Sequence, residues 1–562
     1  MKKFSKPLSV LLSVFLILSA VPFCLAEDES GFDPQITLCK NSGAVITGTE
    51  VMTASCDSEL VTVESAGDTV TVTANDGAVG IAKVTVSDGQ SSKAFEIPVG
   101  YTTFEFSDNG ITVYEGSDTK YEITGINSQD EETSPETETG SDGSTLYKNG
   151  DGYSLNVAIK AKGGTYVFLG QSDDASICVK KEASSPTVLL FAGLDLTSSF
   201  TSPLTVKKDS SSSVTVNALE GFENTLSDSE LNNADLYGDT SDGGDGTNAA
   251  YAESAVIKGK VSANITLTGK GVLNLNCATK NAIKLGTSGV LTVESLTLNI
   301  VSANHGISCD NIININSGSI NITASGDGFN PGGGRPGQGG PGGNPGGNGG
   351  SAPGQGGSSD YTINIYGGEI FVNAEGDGLD SNGDLNLLGG SLVIWGMKAG
   401  GDNEPLDCDG TLTIDGATVF GAGSSAMTTV PKSSQGYITS RASAASGKTV
   451  NILQNGETVF KIKAVKNINY VIYSSPDVTD TSEWSIVIDD SSLEDDYYAL
   501  GDVNLDGRIT SSDTLLALQA SVGKITLESA RQNAADVDKD GSVTATDALL
   551  ILQYSVGKIS SF

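Results

Sequence analysis

The chain has 562 residues, enough for several domains, and 38% of them are hydrophobic. Its 69 Asp and Glu residues outnumber its 32 Lys and Arg residues, which gives a formal net charge of −37. This charge argues against nucleic acid and anionic membranes as partners, and against holding an acidic polysaccharide by bulk charge. A bound metal ion would reverse the sign of the charge locally.

The N-terminal segment, residues 1–26, has the parts of a secretory signal peptide. Lysines precede an apolar stretch at Leu8–Val21, and small residues at a cleavage position end at Ala26. No later apolar run approaches the roughly 18 residues that a membrane-spanning helix requires. We therefore predict a secreted, extracellular protein that does not enter a membrane.

Short alternating stretches, separated by Asn-Asp-Gly and Ser-Asp-Gly turns, follow in residues 27–100 and predict a small β-sandwich. The text SELVTVESAGDTVTVTANDGAVGIAKVTVSD resembles the bacterial Ig-like modules that are common on secreted proteins. That resemblance implies a spacer or packing module. Cys39 and Cys56 are candidates for a disulfide within it. The later cysteines lack metal-ligand spacing and are expected to be buried free thiols: Cys178, Cys277, Cys309 and Cys408.

A repeat of short strands and Gly turns organises residues 101–490. The segment Tyr361–Asn382, YTINIYGGEIFVNAEGDGLDSN, matches Ile313–Asn330 position for position. Five apolar residues align at steps of 24, 22, 50 and 27 residues: Ile283, Ile307, Phe329, Leu379 and Leu406. The step of 50 contains a Gly/Pro-rich insertion, 331–359, which cannot bury a core and is expected to be a loop. Such a period predicts a mainly β chain built around a β-solenoid, most simply a parallel β-helix.

Stacking of such coils turns sequence columns into spatial columns, with about 4.8 Å between coils. Two columns flank the aligned apolar positions and contain Asp327, Asp377 and Glu404 in one and Asn330, Asp380 and Asp407 in the other. Like charges at this spacing repel unless a cation lies between them, and hard oxygen ligands suit calcium. The alternative is that Gly-Asp-Gly is only turn chemistry. Because both columns are acidic over successive coils, we predict a calcium site at this corner.

After Gly423 the repeat fades, and four stretches between Thr449 and Ile488 predict antiparallel strands that close the end of the solenoid. Residues 491–499 are predicted to be a short acidic linker. Residues 500–562 are predicted to be a separate C-terminal module.

Two twelve-residue segments of that module follow the calcium-loop pattern. Residues 502–513 are DVNLDGRITSSD and residues 536–547 are DVDKDGSVTATD, with oxygen side chains at positions 1, 3 and 5, Gly at 6 and an acid at 12. We predict two calcium sites, to which Arg508 and Ser542 contribute main-chain carbonyls. The first set of ligands is Asp502, Asn504, Asp506, Arg508 and Asp513, and the second is Asp536, Asp538, Asp540, Ser542 and Asp547.

A helix-period apolar stretch follows each loop, and no helix is expected before either loop, so the module is predicted to be all-α. It resembles a type I dockerin over its whole length. The resemblance implies docking to a cohesin module of a scaffold protein, in either of two orientations because the two halves are alike. The positions that correspond to the cohesin contacts of the family are Ser511, Ser512, Leu518, Gln519, Ala545, Thr546, Leu552 and Gln553.

The region 101–490 resembles a family of secreted bacterial carbohydrate-binding β-helix proteins. The resemblance rests on DGYSLNVAIKAKGGTYVFLG, FTSPLTVKK, the GDGF and GDGL coils, PLDCDGTLTIDGATVFGAG and YVIYSSPDV. Members of that family are right-handed parallel β-helices similar to family 9 pectate lyases, and they bind calcium and plant polysaccharides, including cellulose and polygalacturonate. The resemblance implies binding rather than cleavage.

The preferred hypothesis is a non-catalytic, calcium-dependent binding protein for plant cell-wall polysaccharide, cellulose or pectin, carried by a cellulosome. The alternative is a calcium-dependent polysaccharide lyase, which needs a base near the metal. Lys398 is the better candidate base and Lys284 the more distant one, while His305, the only histidine, argues against Ser-His and metal-His chemistry. An adhesin or surface spacer also fits the Ig-like module, but the dockerin supplies a different attachment.

Four aromatic side chains are candidates for stacking on sugar rings, because each is large and has a polar handle. Packing inside the fold is an equal alternative for each of them. These residues are Tyr361, Tyr366, Trp395 and Trp484.

Overall fold

The computed structural model describes most of the chain between Phe32 and Ile559. The described residues are 32–127, 131–160, 163–180, 186–207, 213–237, 252–331, 361–425, 428–489, 500–501, 503, 509, 511–521, 527, 529–539, 541–555 and 558–559. The predicted signal peptide (1–26), the linker (491–499) and residues 332–359 of the insertion lie outside them. The described chain is mainly β-strand, and none of its helices is long and apolar enough to cross a membrane.

The N-terminal module consists of two antiparallel sheets that share one core. Its strands are β1 Gln35–Leu38, β2 Gly43–Thr47, β3 Thr53–Cys56, β4 Val61–Ala66, β5 Thr69–Ala74, β6 Gly80–Ser87 and β7 Ser92–Val99. One sheet has the order β1-β2-β5-β4 and the other β3-β6-β7. Apolar residues such as Ile46, Val72, Val84 and Ile97 are buried between the sheets. Each such side chain stabilises the fold by about 1.5–3 kcal/mol.

A set of hairpins leads into the central domain. Its strands are β8 Thr102–Ser107, β9 Gly110–Tyr114, β10 Tyr121–Ile126, β11 Glu132–Thr133, β12 Thr137–Thr139 and β13 Thr145–Lys148. The strands of the central coils are β14 Ser154–Ile159, β15 Gly164–Ser172, β16 Ala175–Val179, β17 Thr187–Ser198, β18 Leu204–Val206, β19 Val214–Ala218, β20 Glu223–Asp228, β21 Ala255–Gly259, β22 Asn264–Gly269, β23 Val272–Cys277, β24 Asn281–Leu285, β25 Val290–Val293, β26 Thr297–Ser302, β27 His305–Cys309, β28 Ile312–Ile315, β29 Ser319–Ala324, β30 Phe329–Asn330, β31 Thr362–Ile365, β32 Glu369–Ala374, β33 Leu379–Ser381, β34 Leu385–Leu387, β35 Ser391–Trp395, β36 Leu406–Cys408, β37 Leu412–Ile414 and β38 Thr418–Gly423.

Strands of successive coils pair in parallel and form three ladders. Ladder A is β14-β16-β18-β21-β24-β27-β30-β33-β36, ladder B is β19-β22-β25-β28-β31-β34-β37, and ladder C is β20-β23-β26-β29-β32-β35-β38. Within ladder A the paired residues are Ile283 with Ile307, Ile307 with Phe329, Phe329 with Leu379, and Leu379 with Leu406. All five are buried in one continuous core. The register of the strands therefore follows the apolar repeat, because a slip would expose these side chains.

The N-terminal module packs on the outer face of the first coils. The edge of the Phe95 ring meets the ring of Phe222, with 6.5 Å between centroids. Lys83 Nζ lies 2.6 Å from a carboxylate oxygen of Glu220, beside this contact. Val167, in β15, belongs to the same interface cluster. The module is thus joined to the coils by side-chain packing as well as by the chain itself.

A second group of strands covers the last coils. These strands are β39 Tyr437–Ser440, β40 Thr449–Gln454, β41 Glu457–Lys463, β42 Tyr470–Ser474 and β43 Trp484–Asp489. β42 pairs antiparallel with β38, and the sheet β41-β40-β43 lies over outward side chains of ladder C. Trp395 is fully buried there and Trp484 is only 8% exposed. Of the two alternatives given for these tryptophans, the structure shows packing rather than stacking on sugars, because the closing sheet covers them.

Side chains complete the free edge of the last coil. The main-chain amide of Ile414, in β37, donates to Oγ of Ser433 at 2.5 Å, and that of Gly416 donates to Oε1 of Gln435 at 2.8 Å. These amides would otherwise be exposed donors of an edge strand. The segment after β38 thus supplies hydrogen-bond acceptors to the main-chain amides at the end of ladder B without adding another parallel strand.

All six described cysteines are free thiols. Cys39 follows β1 and Cys56 ends β3, so they lie on different sheets of the N-terminal module, and the candidate disulfide is absent. Cys178, Cys277 and Cys309 are buried, as expected for structural thiols. Cys408 is half-buried rather than buried.

The C-terminal module contains the α-helices. They are α1 Ser511–Ser521, α2 Ser529–Ala535 and α3 Ala545–Ser555, and short 3-10 turns lie elsewhere at Glu230–Asn232, Ala234–Tyr237 and Thr481–Glu483. α1 packs on α3 around a small core that includes Ala517 and Ile551. The expectation that no helix precedes either loop is wrong for the second loop, because α2 ends immediately before Asp536. The Ala-rich SARQNAA favours this short helix.

Candidate functional site

The predicted acidic corner lies where ladder C turns into ladder A. We use this name for Asp327, Asp377, Asp380, Glu404 and Asp407. Glycines allow the turns of adjacent coils to approach closely. A Cβ added at Gly376 would lie 2.2 Å from Oδ1 of Asp327, and one added at Gly328 would lie 2.5 Å from the carbonyl oxygen of Gly378. The Gly-Asp-Gly turns are thus a requirement of stacking as well as a source of carboxylates.

Hydrogen bonds connect the turns from coil to coil. The amide of Asp327 donates to Nδ1 of His305 at 3.1 Å, and the amide of Asp377 donates to Oδ1 of Asp327 at 2.8 Å. The amide of Glu404 then donates to Oδ1 of Asp377 at 2.6 Å. The side chains of His305, Asp327 and Asp377 therefore each accept a hydrogen bond from a main-chain amide of the next coil.

Two asparagine amides fill spaces between the carboxylates. Nδ2 of Asn330 donates to Oδ2 of Asp327 at 2.6 Å and to Oδ2 of Asp380 at 3.0 Å. Nδ2 of Asn403 donates to Oδ2 of Asp377 at 2.8 Å. Asn330 was predicted to present its oxygen to a metal, so its amide must turn over to act as a ligand. Asn403 was not predicted, because it lies outside the two aligned columns.

Burial raises the pKa values of four of the five carboxyl groups in the acidic corner. Asp380 has a pKa of about 8, raised by burial and then by the charges of Asp327 and Asp377. Burial and the neighbouring Asp407 raise the pKa of Glu404 to about 8. Burial, opposed by the Glu404 amide, raises the pKa of Asp377 to about 7. Burial also raises the pKa of Asp407. The corner therefore holds protons unless a cation replaces them.

Asp327 behaves in the opposite way. Burial favours its neutral form, but the neighbouring imidazole of His305, the side-chain amide of Asn330 and the main-chain amide of Asp377 favour the carboxylate, and the pKa of Asp327 is lowered. Nδ1 of His305 lies 3.0 Å from Oδ2 of Asp327. His305 aligns with this column in the sequence, but its role as a partner of Asp327 was not predicted.

The donor set of the corner fits an oxygen-preferring cation. Oε1 of Glu404 is buried and accepts no hydrogen bond, while Oε2 accepts from the amide of Thr429 at 3.1 Å. Such an orphaned acceptor is costly without a positive partner. The carboxylates are not gathered as tightly as three oxygens around one ion, because Asn330 stands between Asp327 and Asp380. Binding of a cation therefore requires Asn330 to move.

The carboxylates of the second loop in the C-terminal module lie closer together than those of the acidic corner. Ligand oxygens of Asp536, Asp538 and Asp547 all lie within 4.8 Å of one another. Asp547 is buried, and its Oδ2 accepts from the amide and hydroxyl of Thr544 at 2.8 and 2.9 Å. Gly541 has φ of +90°, a conformation that glycine adopts without strain. Three of the five predicted ligands of this loop are therefore brought together.

The other predicted loop ligands are located in part. Ser542 is exposed in the second loop, and Asp540 lies outside the described residues. In the first loop Asp513 is buried on α1. Its other predicted ligands lie outside the described residues: Asp502, Asn504, Asp506 and Arg508.

The predicted cohesin contacts lie on α1 and α3. Ser511 and Ser512 are the first two residues of α1, and Ala545 and Thr546 are the first two of α3, where both are exposed. Leu518 is 43% exposed and Leu552 is 36% exposed, whereas Gln519 and Gln553 are half-buried. Leu549, 52% exposed, was missed although it lies three residues from Thr546 and from Leu552 on the same face of α3.

The remaining candidates differ in exposure and in their partners. Lys284 pairs with Asp310, with 2.6 Å between Nζ and Oδ1, and Nζ also donates to Oγ of Ser308 at 3.1 Å. Lys398 is exposed after β35. Tyr366 is 51% exposed and Tyr361 is half-buried, so these two keep a face toward solvent.

Comparison with known proteins finds matches to two parts of the chain. Residues 154–336 match a family described as carbohydrate-binding domain-containing protein, and residues 500–554 match the type I dockerin domain. A solved structure from C. thermocellum, described as a polysaccharide lyase-like protein in its gadolinium derivative, is 24% identical, covers 48% of this chain and 92% of its own, and has a TM-score of 0.35. None of the curated proteins matches the chain.

Two classes of module are thus present in one chain. The first is a carbohydrate-binding region whose matched residues span ladders A, B and C as far as the insertion. The second, named by its match, is a type I dockerin domain, a class known to bind calcium and typical of secreted cellulosome components.

Proposed function

We propose that the protein is a secreted cellulosome component that binds plant cell-wall polysaccharide with its coils and a cohesin with its dockerin. The observation that carries this proposal is the presence of both matches, at 154–336 and 500–554, in one chain. A dockerin attaches a protein to a scaffold, and a carbohydrate-binding region directs it to a polysaccharide. Neither role requires a catalytic step.

We further propose that the coils form a right-handed parallel β-helix and that the N-terminal module is Ig-like. Parallel pairing of equivalent strands in three ladders supports the first assignment. Two small antiparallel sheets around one core support the second. In this arrangement the coils present a long, repetitive surface, which suits a polymer rather than a small molecule.

Calcium is the cation that we assign to the acidic corner and to both dockerin loops. Asp377, Asp380 and Asp407 would hold it at the corner, with Asp327 and Glu404 completing the oxygen donors. Bound calcium supplies positive charge and open coordination positions. A uronate carboxylate is the natural sugar ligand for such a position, which would give an acidic protein affinity for pectin. The raised pKa values of the corner support this, because the carboxylates are unstable as a set of anions.

Binding of the full-length protein to polygalacturonate and to cellulose, each in calcium and in EDTA, tests the proposal. We expect binding to at least one polymer, with polygalacturonate binding stronger in calcium. A panel of type I cohesins should capture the same protein in calcium. Failure to bind any polymer in either buffer would contradict the carbohydrate-binding function, whereas equal binding in both buffers would contradict only the calcium assignment.

The lyase alternative gives a different result in the same experiment. Unsaturated uronides would be released and would be followed by their ultraviolet absorbance. Exposed Lys398 is the candidate base, so loss of this release in Lys398→Ala would identify a lyase.

A further inference from the structure

Six consecutive strands of ladder B carry an uncharged polar side chain at the centre of their outer face. The strands β22, β25, β28, β31, β34 and β37 are paired in register, and the residues that align there are Thr266, Thr292, Asn314, Asn364, Asn386 and Thr413. They point outward because the residues on either side of them, such as Ile313 and Ile315, are buried in the core. The row has five steps of about 4.8 Å, or about 24 Å in all.

Three asparagines of this row form a ladder of side-chain amides. Nδ2 of Asn364 donates to Oδ1 of Asn314 at 3.0 Å, and Nδ2 of Asn386 donates to Oδ1 of Asn364 at 3.0 Å. A primary amide has two N–H groups, and the second one on Asn364 and on Asn386 has no partner among the described residues. All three side chains are half-buried. The ladder therefore holds amide donors in fixed orientations, one coil apart, at the surface.

An apolar platform lies beside the amide ladder. Tyr366 and Leu388 come two residues after asparagines of the ladder, so they belong to the same outer face. The main-chain amide of Tyr366 donates to the carbonyl of Ile315 at 2.8 Å and that of Leu388 to Ile365 at 2.7 Å, which places the two residues one coil apart. Tyr366 is 51% exposed and Leu388 is 38% exposed. A sugar ring has apolar C–H faces and a rim of hydroxyls, so it fits such a platform beside such donors.

Two carboxylates flank the platform. Glu294 lies on the coil before Asn316, and its Oε2 accepts from Nδ2 of Asn316 at 3.2 Å. Asp415 lies on the coil after Leu388, since its amide donates to the carbonyl of Leu387 at 2.9 Å. Neither the aligned row nor the platform contains a lysine or an arginine. A face that is flanked by carboxylates and has no cation of its own repels an acidic polymer and suits an uncharged one.

We propose that an uncharged, extended polysaccharide binds along the amide face, by which we mean the six aligned Thr and Asn residues together with Tyr366 and Leu388. One sugar ring rests on Tyr366 and Leu388, and hydroxyls of the chain accept from the amides of Asn364 and Asn386. This inference rests on the proposed polysaccharide-binding function and adds to it a site that does not use calcium. A polymer fits better than a free sugar because the donors recur once per coil on an open sheet face rather than in a pocket.

The direct test is binding of the full-length protein to cellulose and to glucomannan in EDTA, where calcium takes no part. The variant is Tyr366→Ala with Leu388→Ala. The matched control is Val301→Ala with Val459→Ala, two apolar side chains that are 58% and 49% exposed on other sheet faces. We expect the parent to bind at least one of these polymers and the control to bind it equally. The variant should bind it roughly tenfold more weakly, a loss of about 1.4 kcal/mol.

Three further measurements distinguish a binding role from a structural one. Tyr366→Trp should retain binding, because it keeps an exposed ring on the platform. Both alanine pairs should keep the melting temperature of the parent, because substitutions of exposed side chains change stability little. Added salt should leave binding of the parent unchanged, since the polymer carries no charge. Loss of binding in Tyr366→Trp, or binding that weakens as salt is added, would overturn the proposal.

The failures of the two proposals differ. If the parent binds an uncharged polymer in EDTA and the two alanine pairs bind it equally, the amide face is overturned and the polysaccharide-binding function stands. If the parent binds polygalacturonate in calcium but neither uncharged polymer, the amide face is likewise overturned. If it binds no polymer in any buffer, the proposed function itself fails.

Discussion

The main-chain amide of Asp377 donates a hydrogen bond of 2.8 Å to Oδ1 of Asp327, fifty positions earlier in the chain. The step crosses the insertion, so the two residues meet only because Leu379 is stacked on Phe329. The side chain of Asp327 thus supports the next turn and supplies a carboxylate to the corner. Replacing Asp by Asn keeps an acceptor for that amide and removes the charge, which separates the two roles.

In EDTA, the coils should lose stability as the pH rises from about 4 to about 8. Asp380 and Glu404 have folded-state pKa values of about 8, above those of an unfolded chain, so the folded state binds more protons and the free energy of unfolding falls across this interval. Each unit of pKa shift corresponds to about 1.4 kcal/mol, so the free energy of unfolding should fall by several kcal/mol, and calcium should reverse the fall by binding the ionised forms. Urea unfolding of the full chain at pH 5 and 8.5 checks this. A stability that rises with pH in EDTA would contradict it.

Asp380→Asn should weaken calcium binding and calcium-dependent polygalacturonate binding together, by roughly tenfold, because it removes one carboxylate from the ion. Isothermal titration and polymer pull-down at pH 8 measure the two effects. Asp415→Asn, on an exposed turn of a later coil, is the control for net charge. Retention of both activities in Asp377→Asn combined with Asp380→Asn would show that the turns are structural only.

Gly376→Ala should destabilise the coils by about 1–3 kcal/mol through overpacking. The added Cβ would lie 2.2 Å from Oδ1 of Asp327 and 2.9 Å from the carbonyl carbon of Gly326, and the latter is main chain that cannot rotate away. Gly150→Ala is the control, since nothing lies within 4 Å of its Cβ position. Thermal unfolding of the two variants should differ clearly. Equal melting temperatures would mean that the corner is more open than the structure indicates.

Removal of calcium should expose the amides of α3 to hydrogen exchange. Asp536, Asp538 and Asp547 would repel one another without an ion, and the small helical core has little apolar area to offset this. Exchange of the full chain, compared in calcium and EDTA, should differ at 541–555 and not in ladder A near Ile283. Equal protection of α3 in both buffers would show that the loop folds without metal.

Cohesin binding should survive a change in one half of the dockerin. Ser511→Arg with Ser512→Arg, or Ala545→Arg with Thr546→Arg, should each leave binding to a type I cohesin within a few-fold, because the other half can dock instead. All four changes together should abolish it. Abolition by a single pair would instead establish one docking orientation.

The register of the coils could be predicted from the sequence, because the apolar residues that point inward recur at equivalent positions. Ile307, Phe329 and Leu379 are buried and stacked, and a slip of one residue would turn them to the outer face. The sequence columns on either side of these apolar residues also predicted that Asp327 and Asp380 lie at the same corner. The orientation of the Asn330 side-chain amide and the pairing of His305 with Asp327 could not be predicted from sequence, because an aligned column of residues gives neither the rotamer nor the protonation state of a side chain.

Contacts between distant segments explain the remaining differences. Trp395 faces outward from its coil and is buried only because β40 and β43 pack over it from far along the chain. Helix α2 was missed because seven residues carry too little periodicity to reveal a helix.

The closing strand β42 also affects whether another copy of the chain can extend the stack of coils. An open stack of parallel strands is a template on which another molecule could continue, and fibres grow in this way. β42 runs in the opposite direction to β38, while Ser433 and Gln435 occupy the amides of the β37 turn. At this end a second molecule is therefore blocked from continuing ladders B and C, while β36 remains the last strand of ladder A. End-to-end growth through these two ladders would require β42 and the Ser433–Gln435 segment to be displaced first.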